Sequence, residues 1–598
     1  MTILISAICT LLYAAISFYI TLPPINLRAT EFYHYMLGIV IVFSVIYYIC
    51  DLIRKSKNNP ISIMGNNIKI KKYLPLILIG LLIMGISGVI FILIAAGIFF
   101  MIVKAKSANM QNININIKGK YKDVWKKFAP PIIICGVLLA TLLIGGLVSL
   151  PIFNSGKYQK LLTVTEGSFA EDVAEINYSQ IPTLDKDSAA RLGNRKMGEL
   201  SDLVSQFEVS DMYTQINYNS RPTRVTPLLY GDFFKWMNNN NEGIPAYMKL
   251  DMVSQEVECV RLEDGIKYSQ SELFGRKIER HLRFQYPTFI FGDPVFEIDE
   301  EGNPYWVCSK IKKTVGLFGG EDVDGVVLCD AVTGESEYYP DGEIPQWVDR
   351  AYSADLLIEQ YDYHGEYIHG FWNSIVGQKD VKETTDGYNY MALNDDVYVY
   401  TGITSVTGDE SNIGFVLMNQ RTKETKFYAI TGAEEYSAMY SAEGEVQHLD
   451  YRATFPLLLN IAGEPTYFIP LKDYAGLVKK YSMVNVAQYQ TVAVGDTIKI
   501  CEEEYRKKIE KTAEESGDNQ IEEEKTKITG TIKDIKSAVI DGNTTYYIVL
   551  DNSDKIFRIS AYENQKAVML SKESIIEIEY AVKNENSEII PIIDFSEK

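Results

Sequence analysis

The sequence predicts an N-terminal α-helical membrane domain, a large α+β region and a small all-β barrel at the C-terminus. Long uncharged apolar segments occur only in the first quarter of the chain, and short alternating apolar runs follow them. Residues 1–150 hold 14 Lys or Arg and 3 Asp or Glu, whereas the rest hold 44 and 75, so the formal net charge of −20 is unevenly distributed. A chain of 598 residues is too long for one domain, and its acidity argues against a general nucleic-acid binder.

Four segments are long and apolar enough to be membrane helices, which need about 20 residues. They are residues 3–22, 34–53, 73–103 and 129–152, the last with Pro130-Pro131 at its start. A cleaved signal peptide is the competing interpretation of the first segment. It is disfavoured because no basic residue precedes the segment, and Pro23-Pro24 follow it in place of a small-residue cleavage site.

The loops predict the orientation of these segments. Residues 54–72 and 104–128 are rich in lysine and nearly free of acidic residues, so both should lie in the cytoplasm. Segment 73–103 should then enter and leave the membrane on the same side, as a tight helical hairpin. One long tilted helix is the alternative, and it would place one lysine-rich loop outside. With the hairpin, residues 1–153 form a domain of about five crossings, and residues 154–598 lie outside the cytoplasm.

Residues 155–500 predict an α+β region that begins with helices and continues mainly as strands. Asp185 and Asp187 are suited to cap a short helix over SAARLG. A second helix is predicted near 195–208, because apolar residues recur there at i, i+3, i+4 and i+7. Alternating runs bounded by turn residues predict strands at 256–261, 304–309, 325–330, 397–401 and 414–419.

A recurrent pattern of turns indicates a repeated unit within this region. One copy runs FEIDEEGNPYWVCSKI, Gly316-Leu317 and GVVLCDAVTGESEYY, and another runs NIAGEPTYFIPLKD, Gly476-Leu477 and KKYSMVNVAQYQTVAV. Asp330 in the first matches Asn485 in the second, and a partial third copy, GFVLMNQRTKETKFY, has Asn419 at the equivalent turn. Chance resemblance among β-hairpins is the alternative, because turns with Asp or Asn are common.

These turns carry a resemblance to known proteins. The strand–(Asp/Asn)-x-x-Thr-Gly-Glu–strand pattern after a G-x-P-Y/T strand resembles the PepSY-type α+β module. Such modules are usually extracytoplasmic and have no catalytic residues of their own. Residues 157–505 also resemble a family of uncharacterised membrane proteins from Firmicutes, sometimes labelled CvpA-like, through segments such as KYQKLLTVTEGSFAEDV and DESNIGFVLMNQRTKETKFYAITGAEEYSAM. The resemblance implies a bacterial, membrane-anchored protein with PepSY-like extracytoplasmic repeats, and it implies no particular activity.

The C-terminal residues predict a charged linker followed by a small barrel. Residues 501–527 are highly charged and lack an extended apolar stripe, which is typical of a frayed helix and linker. Residues 528–598 predict about five strands with a hairpin turn at Asp541-Gly542-Asn543, which suits an OB-like barrel. Such barrels can bind oligonucleotides or sugars. The mixed Lys and Glu residues and the few aromatic residues favour a binding or spacer module without nucleic acid.

The sequence offers little catalytic or metal-binding chemistry. His364 and His369 lack the i, i+4 spacing that places two histidines on one helical face around zinc. Cys259, Cys308 and Cys329 lie within predicted strands, and no C-x-x-C is present in the chain. A disulfide between the last two and buried free thiols are both open. We therefore expect no catalytic residue, no cofactor and no bound metal.

One aromatic cluster is a candidate binding surface. Tyr361, Tyr363, Phe371 and Trp372 would line a groove if their side chains converged. Packing in the core or on the surface of a sheet is the alternative, because aromatic residues contribute most of their energy there.

The combined features predict a non-enzymatic, membrane-anchored interaction or assembly protein of the bacterial cell envelope. Its expected partners are the lipid bilayer and envelope proteins, with no nucleic acid, and its oligomeric state is open. The PepSY resemblance makes a regulator or inhibitor of an envelope peptidase one alternative. A membrane transporter is another, although the predicted segments lack the ionisable residues that transport usually needs at membrane depth.

Overall fold

The computed structural model describes residues 2–58, 117–175, 181–393, 395–405, 411–516, 525–540, 543–561, 564–581 and 589–597. The chain forms two compact units, Met1–Arg506 and Lys507–Lys598. The described part of the first unit contains three apolar helices and four large sheets, and that of the second contains one six-stranded sheet.

The described helices are α1 (Thr2–Thr21), α2 (Thr30–Asn58), α3 (Ile117–Ser149), α4 (Pro151–Tyr158), α5 (Phe169–Asp172), α6 (Lys186–Glu199), α7 (Phe233–Asn239), α8 (Ile278–Gln285), α9 (Ala354–Glu366), α10 (Glu435–Glu445) and α11 (Ile498–Ser516). Short 3₁₀ turns lie at Phe274–Arg276, Gln447–Leu449 and Gln565–Met569, and a π-helical turn lies at Asn373–Gly377.

The described strands of the first unit are β1 (Val164–Glu166), β2 (Phe207–Val209), β3 (Thr214–Tyr218), β4 (Arg221–Tyr230), β5 (Ile244–Asp251), β6 (Val257–Ile266), β7 (Ile290–Phe291), β8 (Val295–Ile298), β9 (Pro304–Val315), β10 (Gly319–Asp330), β11 (Ser336–Pro340), β12 (Lys382–Thr384), β13 (Asn389–Leu393), β14 (Asp396–Ser405), β15 (Ser411–Asn412), β16 (Gly414–Asn419), β17 (Thr425–Tyr428), β18 (Gly432–Ala433), β19 (Arg452–Ala453), β20 (Leu457–Ile461), β21 (Glu464–Lys472), β22 (Val478–Asn485) and β23 (Val492–Gly495). Those of the second unit are β24 (Lys525–Ile540), β25 (Asn543–Leu550), β26 (Ile556–Ser560), β27 (Ile575–Ala581), β28 (Ile589–Pro591) and β29 (Asp594–Glu597).

Three helices are long and apolar enough to cross a membrane, within Ile3–Thr21 of α1, Thr30–Tyr48 of α2 and Ala129–Ser149 of α3. The prediction of apolar helices at three of the four segments is therefore confirmed. The fourth segment, 73–103, lies outside the described residues, as do its two alternative interpretations.

The third apolar helix begins earlier than its predicted start. Because α3 starts at Ile117, Pro130-Pro131 lie inside the helix and not at its beginning. The prediction used apolar composition, whereas the lysine-rich residues before the prolines are good helix formers and extend the helix beyond the apolar part. The two prolines each remove one backbone donor from the helical hydrogen bonds at this point. The helix ends at Ser149, and Pro151 is suited to the first position of α4.

The predicted second helix near 195–208 is wrong. A single helix, α6, includes the predicted SAARLG segment and ends at Glu199, and Asp185 is its N-cap, accepting a hydrogen bond from the N–H of Ser188 (2.9 Å). Consecutive turns then lead into β2. Within them the N–H of Phe207 donates to the carbonyl of Leu203 (2.9 Å), so both side chains are buried on one side, as in a helix. The helix-like spacing of apolar residues in this segment therefore comes from turns with the i, i+4 geometry of a helix.

Four successive parts of the first unit share one order of elements, which we call the α/β units. Each has a helix, a first strand broken into two short pieces, and three further strands in an antiparallel meander. In every unit both pieces pair with the next long strand, which then pairs with the third strand. The first to fourth units comprise α6 with β2–β6, α8 with β7–β11, α9 with β12–β17, and α10 with β19–β23. The region is thus α+β, with curled, mainly antiparallel sheets.

Two of the three turns that were predicted to be equivalent share the same side-chain hydrogen bonds. The Asp330 side chain accepts hydrogen bonds from the N–H groups two and three residues ahead, at 2.7 and 2.9 Å. The Asn419 side chain does the same, at 2.8 and 2.9 Å. Asn485 departs from this pattern, because its side chain accepts from the N–H of Gln488 (2.8 Å). The strands predicted within these units, such as 304–309 and 414–419, are also confirmed.

The second sheet carries a hydrophobic core on each face. Successive residues of a strand point to opposite faces. Trp306 and Cys308 of β9 therefore pack with the first α/β unit, whereas Val307 between them packs with residues of the third. The opposed strand β10 follows the same alternation, with Val327 on the first side and Leu328 on the other.

The second compact unit is a curled sheet around its own core, with the strand order β28-β26-β25-β24-β27-β29. The long strand β24 pairs with β27 through its first half and with β25 through its second half. The last described segment, 589–597, is parallel to β26 at its beginning and antiparallel to β27 at its end. Phe557 and Ile578 are among the completely buried residues at its centre. The predicted turn at Asp541-Gly542-Asn543 falls partly outside the described residues.

Candidate functional site

The best-defined polar site lies where α3 meets the turn between β9 and β10. The Ser149 hydroxyl, at the end of α3, accepts hydrogen bonds from the N–H groups of Leu317 and Phe318, both at 3.0 Å. It donates to the carbonyl of Gly145 (2.7 Å). The hydroxyl of Tyr158 in α4 donates to the Ser149 carbonyl (2.7 Å). One buried serine thus links an apolar helix to the second α/β unit.

Two glycines allow this close approach. Gly316 has a φ of +62°, and a Cβ there would lie 2.5 Å from the Ser149 hydroxyl oxygen. A Cβ on Gly145 would lie 2.5 Å from the ring of Phe318. Neither position can take a side chain without movement of its neighbour. Gly145, within the apolar part of α3, thus lies against the tip of the β9–β10 hairpin.

The loop between α1 and α2 is attached to the same α/β unit. The N–H of Ile25 donates to the carbonyl of Pro287 (2.7 Å), and the Asn26 side chain donates to the carbonyl of Thr288 (2.9 Å). From the other side, Arg283 of α8 donates to the carbonyl of Leu22 (2.9 Å). We call these contacts, together with those of Ser149, the membrane junction.

The membrane junction fixes the directions of the three apolar helices. The end of α1, the beginning of α2 and the end of α3 all contact the second α/β unit. Tyr33, in the first turn of α2, packs its ring against that of Phe318 with centroids 5.6 Å apart. The opposite end of α2 carries Arg54, Lys55 and Lys57. At about 1.5 Å per residue, that end lies about 40 Å along the helix from the junction.

The predicted aromatic surface does not form one groove. Tyr361 is buried, and its burial raises the pKa of its hydroxyl. Tyr363 is half-buried, packs edge-to-face against Tyr158 with centroids 4.8 Å apart and donates to Glu359 (2.7 Å). Trp372 is 67% exposed at the beginning of the π-helical turn. The candidate residues therefore divide between the core and the surface, because successive positions of α9 and its continuation face different ways.

The histidine pair does not converge. The Nδ1 atom of His364 lies 3.2 Å from the carbonyl of Gln159, and the Nε2 atom of His369 lies 2.9 Å from the Asp380 carboxylate. Among the residues that the structure describes, no group of three or more His, Cys, Asp or Glu side chains could hold a metal ion.

The three cysteines of the predicted strands are free thiols. Cys308 and Cys329 are buried on the neighbouring strands β9 and β10 and do not lie opposite each other. In the register of these strands, Cys308 lies opposite Val327, and Cys329 lies opposite Trp306. Burial raises the pKa of the Cys329 thiol to about 12, and it raises that of Cys308 well above its usual value. Both are therefore protonated and poorly nucleophilic.

A buried pair of carboxyl groups lies where three α/β units meet. Glu297 of β8 accepts a hydrogen bond from the N–H of Asp349 (3.0 Å), and Asp349 accepts one from the N–H of Asn217 in β3 (2.6 Å). Burial raises the pKa of Glu297 to about 7. Burial and the nearby Glu297 raise the pKa of Asp349 well above its usual value. The second oxygen of each carboxyl is buried without a hydrogen-bond partner, so neither of these oxygens has a donor that would stabilise a negative charge.

An ion pair from the third unit lies beside these carboxyl groups. Arg421 donates to both carboxylate oxygens of Asp396, at 2.6 and 2.9 Å, and Asn419 donates to one of them (2.8 Å). The neighbouring charge of Asp396 is one cause of the raised pKa of Asp349. Sequence reasoning missed this polar centre because its members come from three α/β units.

Comparison with known proteins adds little to this description. No protein-family model matches the chain, and no curated protein matches it. A solved structure of a levansucrase mutant from B. megaterium is 8% identical, covering 73% of this chain and 96% of that chain, with a TM-score of 0.14. Similarity at this level carries no argument about fold or activity.

Proposed function

We propose that the protein is a non-enzymatic, membrane-anchored interaction or assembly protein of the bacterial cell envelope. The observation that carries this proposal is the membrane junction. There, the ends of three apolar helices are held to one α/β unit by backbone hydrogen bonds and by the buried hydroxyl of Ser149. Such a junction keeps a large soluble region in one orientation above a membrane, which is what a platform for partner proteins requires.

The proposed topology follows from the same helix ends. If α1 and α2 cross the membrane, the basic end of α2 lies on the side opposite the soluble region. The positive-inside bias assigns that end, with Arg54 and Lys55, to the cytoplasm. Residues 154–598 of this multi-pass protein would then lie outside the cytoplasm.

The α/β units support a PepSY-like interpretation. They share a helix followed by an antiparallel meander, and two of them share the Asp or Asn turn on which the resemblance rests. This interpretation favours a second candidate function, the regulation or inhibition of an envelope peptidase. Slower cleavage of a peptide substrate by a co-expressed envelope peptidase, on addition of the full-length protein, would support it. Unchanged cleavage by every such peptidase would refute it.

The second compact unit supports an OB-like interpretation. In it, the first long strand pairs with two different strands through its two halves, and the last segment pairs with β26 and β27. Pairing of this kind closes a five-stranded barrel when the last two short strands are counted as one bent strand. We assign this unit a binding or spacer role.

The topology can be tested by labelling single cysteines with a membrane-impermeant maleimide. Tyr474→Cys places a thiol on a fully exposed side chain of the fourth α/β unit, and Ser56→Cys places one at the basic end of α2. The first should be labelled in intact cells and the second only after lysis, with the parent chain giving the background. The reverse result would overturn the orientation.

The interaction role can be tested by photo-crosslinking in living cells from two exposed tyrosines, Tyr440 and Tyr474. A photoreactive residue at either position should capture the same envelope proteins, and a photoreactive residue at Ser56 should not. A chain that stays uncrosslinked from both positions and is monodisperse after purification would refute the proposal.

A further inference from the structure

Two exposed apolar patches flank the membrane junction. The first patch consists of Phe233, Phe234, Met237, Phe274 and Phe284. The second consists of Phe153, Trp372, Ile375 and Val376. Large apolar side chains that are exposed together usually mark a surface that is covered in the working protein.

The first patch adjoins the end of α1. Phe284 packs its ring against that of Phe18, with centroids 5.7 Å apart. Arg280 connects the two regions, because it donates to the carbonyl of Tyr19 (3.2 Å) and to that of Phe274 (2.6 Å). Phe274 therefore lies within the reach of one arginine side chain from the last turn of α1.

The first patch extends outward from this point along α7. The ring of Trp236 lies 5.9 Å from that of Phe274 and 5.7 Å from that of Phe233. The next ring along, that of Phe234, is 68% exposed and lies 5.7 Å from the ring of Phe233. The patch thus runs continuously from the apolar helix α1 to the surface of the first α/β unit.

The second patch adjoins the end of α3. Phe153 lies in α4, four residues after Ser149, and is largely exposed. A series of contacting rings begins at Tyr158, whose hydroxyl donates a hydrogen bond to the Ser149 carbonyl. The ring centroid of Tyr158 lies 6.5 Å from that of Tyr367, which in turn lies 6.4 Å from that of Phe371. It ends at Trp372, whose ring lies 5.6 Å from that of Phe371.

The position of both patches identifies what covers them. The described part of α1 has 20 residues, which span about 30 Å, so if the helix crosses a bilayer its last turn lies at the lipid headgroups. Phe284 contacts that last turn. Aromatic side chains with neighbouring cations are the residues that favour this depth, and exposed Lys157 and Lys379 lie near the second patch in sequence.

We propose that the two apolar patches rest on the bilayer that the helices cross, with Phe234 and Trp372 inserted among the lipid headgroups. The soluble region is then held by the membrane surface on two sides of the junction in addition to the helices. This inference goes beyond the interaction role and rests only on the crossing of the bilayer by the apolar helices.

The test uses the full-length protein in nanodiscs whose lipids carry bromine near the top of the acyl chains. Bromine quenches a tryptophan at this depth, whereas iodide in the buffer quenches one that faces water. Comparison of the parent chain with Trp372→Phe isolates the signal of this side chain. Trp347→Phe is the matched control, because the Trp347 ring packs at a tilt against that of Tyr305 in β9, with centroids 5.0 Å apart.

The parent chain should show a component that bromine quenches and iodide does not. This component should be smaller in Trp372→Phe and unchanged in Trp347→Phe, and what remains in Trp372→Phe includes Trp236 of the first patch. In the Trp372→Phe background, Phe234→Trp should increase this component and so report on the first patch. Quenching by iodide would place the patch in water and overturn the proposal. Protection from both quenchers would mean that protein covers the patch, which overturns it equally.

Discussion

Replacing Glu297 with glutamine should make the stability of the first compact unit less dependent on pH. Glu297 is completely buried, and its pKa is raised to about 7 because burial penalises the charged form. In the unfolded chain the same carboxyl ionises near its ordinary pKa of 4.5. Between these values the folded state holds more protons than the unfolded state, so the free energy of unfolding falls as the pH rises.

The size of this effect follows from the two pKa values. Their difference corresponds to a loss of at most about 3 kcal/mol between pH 4.5 and 7. Glutamine has no proton to lose, so the variant should not suffer this loss. The variant should therefore be the more stable protein at pH 8.

Tryptophan fluorescence is the suitable assay, because all five tryptophans lie in the first compact unit. Unfolding midpoints of the full-length protein in detergent would be compared at pH 5, 6, 7 and 8. Glu343→Gln, which removes the same charge from an exposed side chain, is the matched control and should follow the parent chain. A Glu297→Gln variant whose midpoint falls as steeply with pH as that of the parent would refute the assignment of this pH dependence to the buried Glu297 carboxyl.

Three further substitutions probe the junction, the ion pair and the second compact unit. Ser149→Ala leaves two N–H groups of the β9–β10 turn without an acceptor and should lower the free energy of unfolding, followed by fluorescence, by about 2 kcal/mol. The control Thr141→Ala removes a hydroxyl that is hydrogen-bonded within α3 and should lower it by less. Equal losses would contradict the role of the junction. Arg421→Lys cannot keep both hydrogen bonds to Asp396 and should lower the free energy of unfolding by about 2 kcal/mol in the same assay. An unchanged unfolding midpoint would contradict a stabilising role of this ion pair. Phe557→Ala should destabilise the second unit by about 3–5 kcal/mol, seen as faster proteolysis within residues 525–597, and unchanged proteolysis would contradict its place in the core.

Local patterns in the sequence were sufficient for much of the fold. Uncharged apolar length predicted the three described apolar helices, and alternation predicted strands such as 304–309 and 414–419. The start of α3 was missed because apolar length measures the part suited to lipid and not the whole helix. The helix near 195–208 was a wrong prediction because turns with i, i+4 hydrogen bonds bury the same positions as a helix.

The first α/β unit escaped the repeat prediction for a related reason. Its hairpin turn uses Asn219 and Ser220, both with positive φ, where the fourth unit uses Ala462 and Gly463. It also carries the extra helix α7 between β4 and β5. The turn residues therefore identified only the copies whose turns contain the Gly-x-Pro or Asp/Asn-x-x-Thr pattern. They did not identify the first unit, whose turn has the same backbone conformation with other residues.

The candidate site was the least predictable part, because its residues are far apart in sequence. Ser149 and Leu317 are separated by the first α/β unit, and Glu297 meets Asp349 and Asn217 only after three units have folded. One local signal was present. The sequence places an apolar pair, Leu317 and Phe318, between glycines at a hairpin tip, where water-exposed turns usually carry polar residues.

The second α/β unit links the three apolar helices to the rest of the first compact unit. Its sheet has Trp306 in the core shared with the first α/β unit and Val307 in the core that contains residues of the third. A sheet packed on both faces cannot rotate against either neighbour without opening a core at close-packed density. The tip of its longest hairpin is the part that Ser149 holds, and the preceding helix α8 holds Leu22. The orientation of the apolar helices and the arrangement of these three units are therefore set together.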